Sequence, residues 1–214
     1  MNRKDRQTVT AGRAGGRRQE YAEVTRQAIV SAARRLFAER GYFATRVEDI
    51  AAEARVAPAT VYAVWGGKYG LLKKLVDIWQ SSPAIAGTLE ELLRLDDPVM
   101  VIRVLSARTR QIREEYNDII KTVLATAPND QDVSATLDKV ISYYRGSINI
   151  VSQHLAGLNA LRPGADVPFA TDVLWFYFGF PGLSAMHDDN GWSYDNAEKW
   201  LADEAIRALL AHAE

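Results

Sequence analysis

Residues 45–67 read TRVEDIAAEARVAPATVYAVWGG, a pattern typical of two short helices joined by a tight turn. Thr45 and Glu48 form a capping box at the start of the first helix, because a Thr oxygen accepts from an unpaired N–H and a Glu follows three residues later. Pro58 suits the first position of the second helix, and Gly66-Gly67 ends it. So short a helix must be held by its neighbour, which is the geometry of a helix-turn-helix whose second helix enters the DNA major groove.

A longer helix is predicted on each side of this motif. The preceding helix completes an N-terminal three-helix domain, and the following helix connects that domain to the rest of the chain. Apolar residues recur at helical spacing from Thr25 to Arg40. The following helix is expected from about Lys68 to Gln80, with an inward face formed by Leu71, Leu72, Leu75, Val76 and Trp79. Within the motif, the small Ala51 allows the helices to approach closely, and Val56 and Val61 are expected to fill the angle between them.

The chain is expected to have three parts and an all-α fold. Residues 1–20 form a flexible basic arm without apolar periodicity, residues 21–80 the helix-turn-helix domain, and residues 81–214 a larger helical domain. The break is Ser81-Ser82-Pro83, and helical patterns follow at 84–95, 98–126 (one helix or two), 130–160, 167–186 and 193–213. The sequence has no run of alternating β-branched residues, the pattern that would predict a strand.

The charges are distributed unevenly along the chain. Residues 1–80 hold 15 Lys and Arg against 8 Asp and Glu, a net charge of +7, whereas residues 81–214 hold 11 against 19, a net charge of −8. A basic first part on an acidic remainder indicates a polyanion as the partner of the first part. The alternative is a chance fluctuation with a disordered basic tail.

Composition excludes several other classes. The sequence has no cysteine, so disulfides and thiolate metal sites are impossible. Its polar, basic start lacks the apolar region of a secretory signal, and we expect a cytoplasmic protein. The best membrane candidate, residues 169–186, contains Asp172, Gly179, Pro181 and Gly182 and is better explained as a buried helix.

Residues 25–80 resemble the TetR family of bacterial regulators. The matching residues are Ala32-Ala33, Leu36-Phe37, Gly41-Tyr42, Ala44-Thr45, Val47, Asp49-Ile50-Ala51, Ala54, Val56, Thr60-Val61-Tyr62, Trp65, Lys68 and Leu71-Leu72. The resemblance implies a homodimeric repressor that binds a palindromic operator in double-stranded DNA and is released by a small-molecule effector. Three residues depart from the family pattern: Arg55 stands for the usual turn Gly, Ala57 for the usual capping Ser, and Gly67 for the usual Ser or Asn. Because Arg55 takes the place of a glycine, it is expected to adopt a left-handed conformation.

The resemblance also implies the residues that contact DNA. The positions similar to phosphate contacts are Thr45, Thr60, Tyr62 and Lys68, and those similar to base-facing positions are Pro58, Ala59, Tyr62 and Ala63. Pro58, Ala59 and Ala63 cannot hydrogen-bond a base through their side chains and can only touch thymine methyl groups. Sequence reading is therefore expected to use Arg46, Arg55, the N-terminal arm and the deformability of the DNA as well.

The second domain is rich in aromatic residues, and its four consecutive aromatic residues at 175–178 cannot all face one core. A pocket for a small, mostly apolar molecule is expected there. The candidate ligand contacts are Tyr116, Tyr144, Asn149, His154 and Trp175. The last two long helices are expected to pair two protomers, through Val173, Trp175, Phe176, Phe178, Trp200, Leu201 and Leu209. Leu72 and Trp79 are expected to transmit a tilt of the fourth helix between the pocket and the motif.

Two other classes of function compete with a regulator. An all-helical metal-dependent enzyme would rest on His187-Asp188-Asp189, but consecutive helical residues do not share a face and make poor ligands together. A dimeric scaffold without DNA binding is disfavoured by the charge split. No catalytic residue, metal or cofactor is expected, since the sequence has no Gly-rich phosphate loop and no zincin spacing.

Overall fold

A computed structural model describes the backbone of residues 3–211 and the side chains from residue 19 onward. The described residues are mostly helical and contain no strand, which confirms the predicted all-α class. The helices are α1 (Arg3–Arg40), α2 (Val47–Glu53), α3 (Pro58–Trp65), α4 (Lys68–Gln80), α5 (Thr88–Leu93), α6 (Pro98–Thr126), α7 (Gln131–Gly157), α8 (Val167–Phe178), α9 (Phe180–Leu183) and α10 (Tyr194–Leu209). A 3₁₀ turn (Ala127–Asn129) follows α6, and a π-helical turn (Ser184–Asp189) follows α9.

The chain forms two compact units. The first contains the chain up to Asp77 together with Lys121–Val133, and the second contains Ile78–Ile120 and the chain from Ser134 onward. The sequence pattern suggested one boundary at residues 81–83, but the far end of α6 belongs to the first unit. Local periodicity cannot reveal this, because it does not tell which residues meet from distant parts of the chain.

The first unit is built on the apolar face of α1. Its buried side chains include Ile29, Ala33, Leu36 and Phe37. Helix α2 packs against α1 and α3 packs against α2, and Ala51 is 1% exposed, as its expected role in a close helix approach requires. The core of the second unit is assembled from α5, α6, α7, α8 and α10, with Val101, Ile102, Leu155, Leu174, Phe178, Ala205 and Leu209 among its members.

Several predicted boundaries need correction. Helix α1 begins at Arg3 and not near Thr25, although the side chains of residues 1–18 of the predicted basic arm lie outside the described residues. Residues 98–126 form one helix. The pattern at 167–186 is interrupted, because Gly179 adopts an extended conformation and the short helix α9 begins after it at Phe180, with Pro181 in its first turn. Within residues 3–211 no helix is long and apolar enough to cross a membrane.

Candidate nucleic-acid interface and ligand cavity

The turn between α2 and α3 has the predicted left-handed residue. Arg55 has a φ of 57°, a conformation that costs a non-glycine residue about 1–2 kcal/mol. The Val56 amide donates to the Ala51 carbonyl at 2.9 Å and closes the turn. The Arg55 side chain is exposed, so the departure from a turn glycine adds a cation beside the motif.

Helix α2 begins one residue later than the sequence pattern suggests. Its N-cap is Arg46, whose backbone N–H donates to the Asp49 carboxylate at 3.1 Å. Thr45 is 1% exposed, and its hydroxyl lies 2.8 Å from the Gly41 carbonyl oxygen and 3.2 Å from that of Leu36. Thr45 therefore ties α2 to the end of α1, which corrects both its predicted capping role and its predicted phosphate contact.

Helix α3 has one buried side and one free side. Val61 is fully buried against the rest of the domain, as expected for a side chain that fills the angle of the motif. The predicted base-facing residues Pro58, Ala59, Tyr62 and Ala63 are all exposed. Tyr62 is 53% exposed, and Thr60 is partly exposed beside it. The exposed side of α3 contains no acidic residue.

The start of α3 has no side-chain cap, because Ala57 occupies the N-cap in an extended conformation. We expect Ala57→Ser to raise the free energy of unfolding by about 1 kcal/mol, since a Ser oxygen can accept from an unpaired N–H of the first turn. Urea unfolding followed by circular dichroism measures this change. The control is Ala63→Ser, on the exposed side of the same helix, which should lower stability by a few tenths of a kcal/mol. Equal effects at both positions would contradict the capping argument.

Lys68, a predicted phosphate contact, begins α4 and is half-buried. Its ammonium donates to the Tyr42 carbonyl at 2.8 Å and lies 4.6 Å from the centre of the Tyr42 ring. Burial lowers the pKa of Lys68, and the nearby Asp130 carboxylate opposes this shift. Burial is also the main cause that raises the pKa of Tyr42 to about 12. Lys68 therefore braces the turn before α2, and two of its three N–H donors remain for a phosphate.

Gly70 contributes to the motif in a way the sequence analysis missed. A Cβ atom built on Gly70 would overlap with the carbonyl oxygen of Trp65, the last residue of α3. Helix α4 can therefore pass the end of α3 only because residue 70 has no side chain. The signal was present, since an isolated glycine in a helical pattern often has a packing reason.

The second unit contains an apolar cavity of about 140 Å³. Its walls come from the end of α4, the segment around α5, and α6, α7 and α8. Leucine, isoleucine, valine and aromatic side chains form most of the lining, and Arg108, Thr109, Arg113, Tyr144 and Ser147 are among the polar contributors. A cavity of this size is close to the ~150 Å³ of an engineered cavity that binds benzene.

Of the five predicted ligand contacts, Tyr144 lies in the cavity wall. Its hydroxyl donates to the Phe178 carbonyl at 2.6 Å, so its ring rather than its hydroxyl faces a ligand. Burial raises the pKa of Tyr144.

The other four predicted ligand contacts are outside the lining and need correction. Tyr116 donates to Glu115 at 2.7 Å, and the Asn149 amide donates to Thr171 at 3.2 Å. His154 lies 2.8 Å from the Leu95 carbonyl oxygen. Trp175 packs edge-on against Tyr144 and Phe180, behind the wall. Each is a structural contact that aromatic and polar composition alone could not distinguish from a ligand contact.

Arg113 is the polar residue of the wall that the sequence analysis missed. It is 4% exposed, and its Nη2 donates to Ser184 at 2.7 Å and to Asp188 at 3.1 Å. Burial lowers its pKa, and the Asp188 carboxylate opposes the shift. Its Nε and Nη1 are buried and have no hydrogen-bond partner among the described residues. The helical spacing from Thr109 through Arg113 to Tyr116, all three buried, was the available signal.

The predicted dimer residues separate into three groups. Phe178, Leu201 and Leu209 are at most 2% exposed inside the unit's own core, so their assignment to a subunit interface is wrong. Val173, Trp175 and Trp200 are partly buried against that core. Phe176 is 64% exposed, and Phe169 on the same helix is 40% exposed. The free apolar surface therefore lies on α8.

The acidic cluster that suggested an enzyme has other partners. The ring of His187 stacks on Tyr194 at 3.7 Å, and its Nδ1 lies 2.7 Å from the Trp192 carbonyl oxygen. Asp188 pairs with Arg113. Across the described part of the chain, no group of three His, Cys, Asp or Glu side chains could hold a metal ion.

Similarity to known proteins agrees with this geometry. Residues 29–75 match the family model described as bacterial regulatory proteins, tetR family. The chain is 24% identical over 211 residues to the HTH-type transcriptional repressor BdcR of Escherichia coli (strain K12), a match that covers 95% of this chain and 98% of that protein.

Solved structures share the fold. A regulator from Saccharomonospora viridis in complex with choline superposes with a TM-score of 0.72 at 19% identity, covering 89% of this chain and 100% of that one. NalD, the secondary repressor of the MexAB-OprM multidrug efflux pump in Pseudomonas aeruginosa, gives 0.69 at 21% identity, covering 89% and 98%.

The helix-turn-helix with its exposed recognition helix agrees with these relatives, which support a DNA-binding transcriptional regulator and point to a transcription factor rather than an enzyme. By these comparisons, residues 29–75 are similar to bacterial regulators of the TetR family.

Proposed function

We propose that this regulator is a repressor that binds a palindromic operator as a homodimer and leaves it when a small, mostly apolar ligand enters the cavity. The observation that carries the DNA-binding part is the free side of α3, where Tyr62 and its small neighbours are exposed while Val61 anchors the opposite side. The full-length relative BdcR is named a repressor, and this favours repression. The proposal also includes a cytoplasmic location, because that is where a bacterial regulator meets chromosomal DNA.

The proposed DNA contacts use two kinds of side chain. Arg46 and Arg55 are exposed at the ends of α2, and they can reach phosphates or base edges as cations. Tyr62 and Thr60 offer hydroxyls to phosphates, and Lys68 offers the donors that Tyr42 leaves unused. Pro58, Ala59 and Ala63 present an apolar surface that can touch thymine methyl groups.

Specific DNA binding should weaken strongly with salt, because each phosphate neutralised contributes a slope of roughly −0.9 in log affinity against log salt. We expect Lys68→Ala to flatten that slope by about one unit and to weaken binding to all sequences alike, because an ammonium that contacts a phosphate carries no sequence information. Fluorescence anisotropy on fragments recovered from a genomic pull-down measures both quantities. The control is Arg94→Ala, at an exposed arginine that follows the last residue of α5, and this variant should keep the wild-type slope. Absence of recovered fragments, or an affinity independent of salt, would refute DNA binding.

The proposed dimer surface is the exposed stripe of α8. Phe169 and Phe176 lie seven residues apart and therefore on one face of the helix, and Val173 lies between them. The occupant we propose is a second copy of this chain, because two recognition helices double the site that one eight-residue helix reads. Pairing through one helix face repeated on both partners is the geometry of a twofold interface.

We expect Phe176→Asp to convert the dimer to a monomer at micromolar concentration, because it puts an unpaired carboxylate into an apolar interface. Light scattering after size exclusion gives the mass, and operator affinity should fall at least about tenfold. The control is Tyr21→Asp, which changes a side chain that is 71% exposed on the first unit and should leave the mass unchanged. A wild-type protein that is already monomeric would refute the proposed dimer.

Release by a ligand would act through α4. This helix is continuous from Lys68 to Gln80, and its residue Trp79 forms part of the cavity wall. Leu72, at 2% exposed, holds the earlier part of the helix in place. A ligand that favours another position of α4 would change the ~34–36 Å separation of the two recognition helices that one DNA turn requires. A coupling of about 1–3 kcal/mol would change operator affinity roughly 5–150-fold.

The test is to find cavity binders by thermal shift and titrate each into the protein–operator complex. By linkage, DNA must weaken ligand binding by the same factor by which the ligand weakens DNA binding. Binders that leave operator affinity unchanged would refute the sensing function and leave the DNA-binding function intact.

A further inference from the structure

The cavity wall contains two buried polar side chains with unused hydrogen-bond donors. Arg113 is 4% exposed, and its Nε and Nη1 have no partner among the described residues. Trp79 is 5% exposed, and its Nε1 has no partner there either. Both residues line the cavity. A buried N–H without an acceptor is costly, so a bound molecule with acceptor atoms would remove a cost that the protein otherwise bears.

The charges at the wall indicate what kind of acceptor fits. Arg113 is already paired with Asp188 at 3.1 Å. Arg108, the other cation in the wall, is paired with Glu91 at 2.8 Å, and its remaining nitrogens bond Glu91 and Gln111. Each pair is neutral as a whole. An anionic ligand would add an uncompensated charge to an apolar site, and a cationic ligand would meet the donors of Arg113, so both are disfavoured.

The volume limits the size of the ligand. About 140 Å³ corresponds to a body about as large as one aromatic ring with a short substituent. Tyr144 and Phe180 supply aromatic walls for such a ring, and Trp79 packs 5.9 Å from Phe180, centre to centre.

We propose that the effector is an uncharged, ring-sized carbonyl compound whose oxygen accepts hydrogen bonds from Arg113 and Trp79. This proposal rests on the proposed sensing function and specifies its ligand class. A carbonyl oxygen accepts from N–H donors, carries no net charge, and gains a charge-assisted hydrogen bond from the guanidinium. The choline bound to the Saccharomonospora viridis protein belongs to a different class, because its fixed positive charge does not suit donors.

Three probes of similar size separate the possibilities: acetophenone, ethylbenzene and benzoate. Calorimetry on the full chain should show acetophenone binding about tenfold more tightly than either of the others, a difference of about 1.4 kcal/mol. Arg113→Lys keeps a cation for Asp188 but removes Nε and Nη1, and it should reduce the preference over ethylbenzene to about threefold or less. Trp79→Phe should also reduce the preference for acetophenone over ethylbenzene. The control is Arg103→Met, at an arginine of α6 that pairs with Asp203 and is not part of the cavity lining, and it should keep the preference.

Each outcome decides the proposal. Equal binding of acetophenone and ethylbenzene overturns the carbonyl class while leaving an apolar sensor possible. If benzoate binds most tightly, the proposal of an uncharged effector is wrong and the effector is an acid. No binding of any probe overturns the carbonyl class and removes the cavity's support for sensing, and operator binding measured on the same preparation shows whether the regulator itself is intact. If Arg113→Lys keeps the full preference for acetophenone over ethylbenzene, Arg113 does not donate to the carbonyl oxygen of the ligand.

Discussion

Replacement of Gly70 by Ala should destabilise the helix-turn-helix domain by about 3 kcal/mol and abolish tight operator binding. The added Cβ would overlap with the Trp65 carbonyl oxygen, a backbone atom that cannot swing away as a flexible side chain can. Helix α4 or the end of α3 must therefore shift, and overpacking of this kind typically costs 1–3 kcal/mol or more. Because Trp65 is the last residue of α3, the shift displaces the recognition helix itself.

The measurements are chemical unfolding and operator affinity on the same variant. Gly146→Ala is the matched control, because Gly146 lies within α7 and a Cβ there meets nothing within 4 Å. It should raise stability by roughly 0.5–1 kcal/mol, the usual gain from removing a helical glycine, and leave DNA binding unchanged. A Gly70→Ala protein with wild-type stability and operator affinity would show that the two helices adapt without cost.

The sequence predicted the motif well because its information is local. Periodicity, Pro58 at the start of α3 and the glycines after Trp65 each act over a few residues, and the structure has α3 at Pro58–Trp65 with Gly66 in a left-handed conformation. The left-handed Arg55 was also predicted and is confirmed. These features depend on backbone geometry that neighbouring residues determine.

The predicted capping role of Thr45 was wrong because of a contact outside α2. Two overlapping capping patterns are present, Thr45 with Glu48 and Arg46 with Asp49. Intrinsic capping preference favours the threonine, but the threonine hydroxyl is used by the carbonyls at the end of α1. A contact with residues on the preceding helix therefore moved the start of α2 by one position, and no pattern within α2 could show it.

The sequence predicted a cavity for a small, mostly apolar molecule, but it did not predict that Arg113 lines this cavity. The aromatic run at 175–178 was expected to face in different directions, and Phe176 is exposed while Phe178 is buried. The choice between a wall residue and a structural residue depends on partners far along the chain, such as Leu95 for His154 and Asp188 for Arg113. Composition has no access to such pairs, so Arg113 was missed among the exposed charges of α6.

The Arg113–Asp188 pair gives a second large expected effect. Asp188→Asn should lower the free energy of unfolding by about 3 kcal/mol, because it leaves a buried guanidinium without its counter-charge. The cost should exceed that of an exposed ion pair, typically 0–1 kcal/mol, since the side chains of Arg113 and Asp188 are 5% and 12% exposed. Guanidinium chloride unfolding measures the change. Asp189→Asn, at the exposed neighbouring carboxylate, is the control and should change stability by at most about 0.5 kcal/mol.

A double variant separates loss of charge balance from loss of shape. Adding Arg113→Met to Asp188→Asn removes the uncompensated charge and leaves a flexible apolar side chain in the wall, so most of the lost stability should return. If the double variant is less stable than Asp188→Asn alone, the guanidinium contributes through packing and through Ser184, to which it donates at 2.7 Å, rather than through its charge. If Asp188→Asn is as stable as Asp189→Asn, the pair does not stabilise the fold, and the carboxylate is free to yield Arg113 to a ligand.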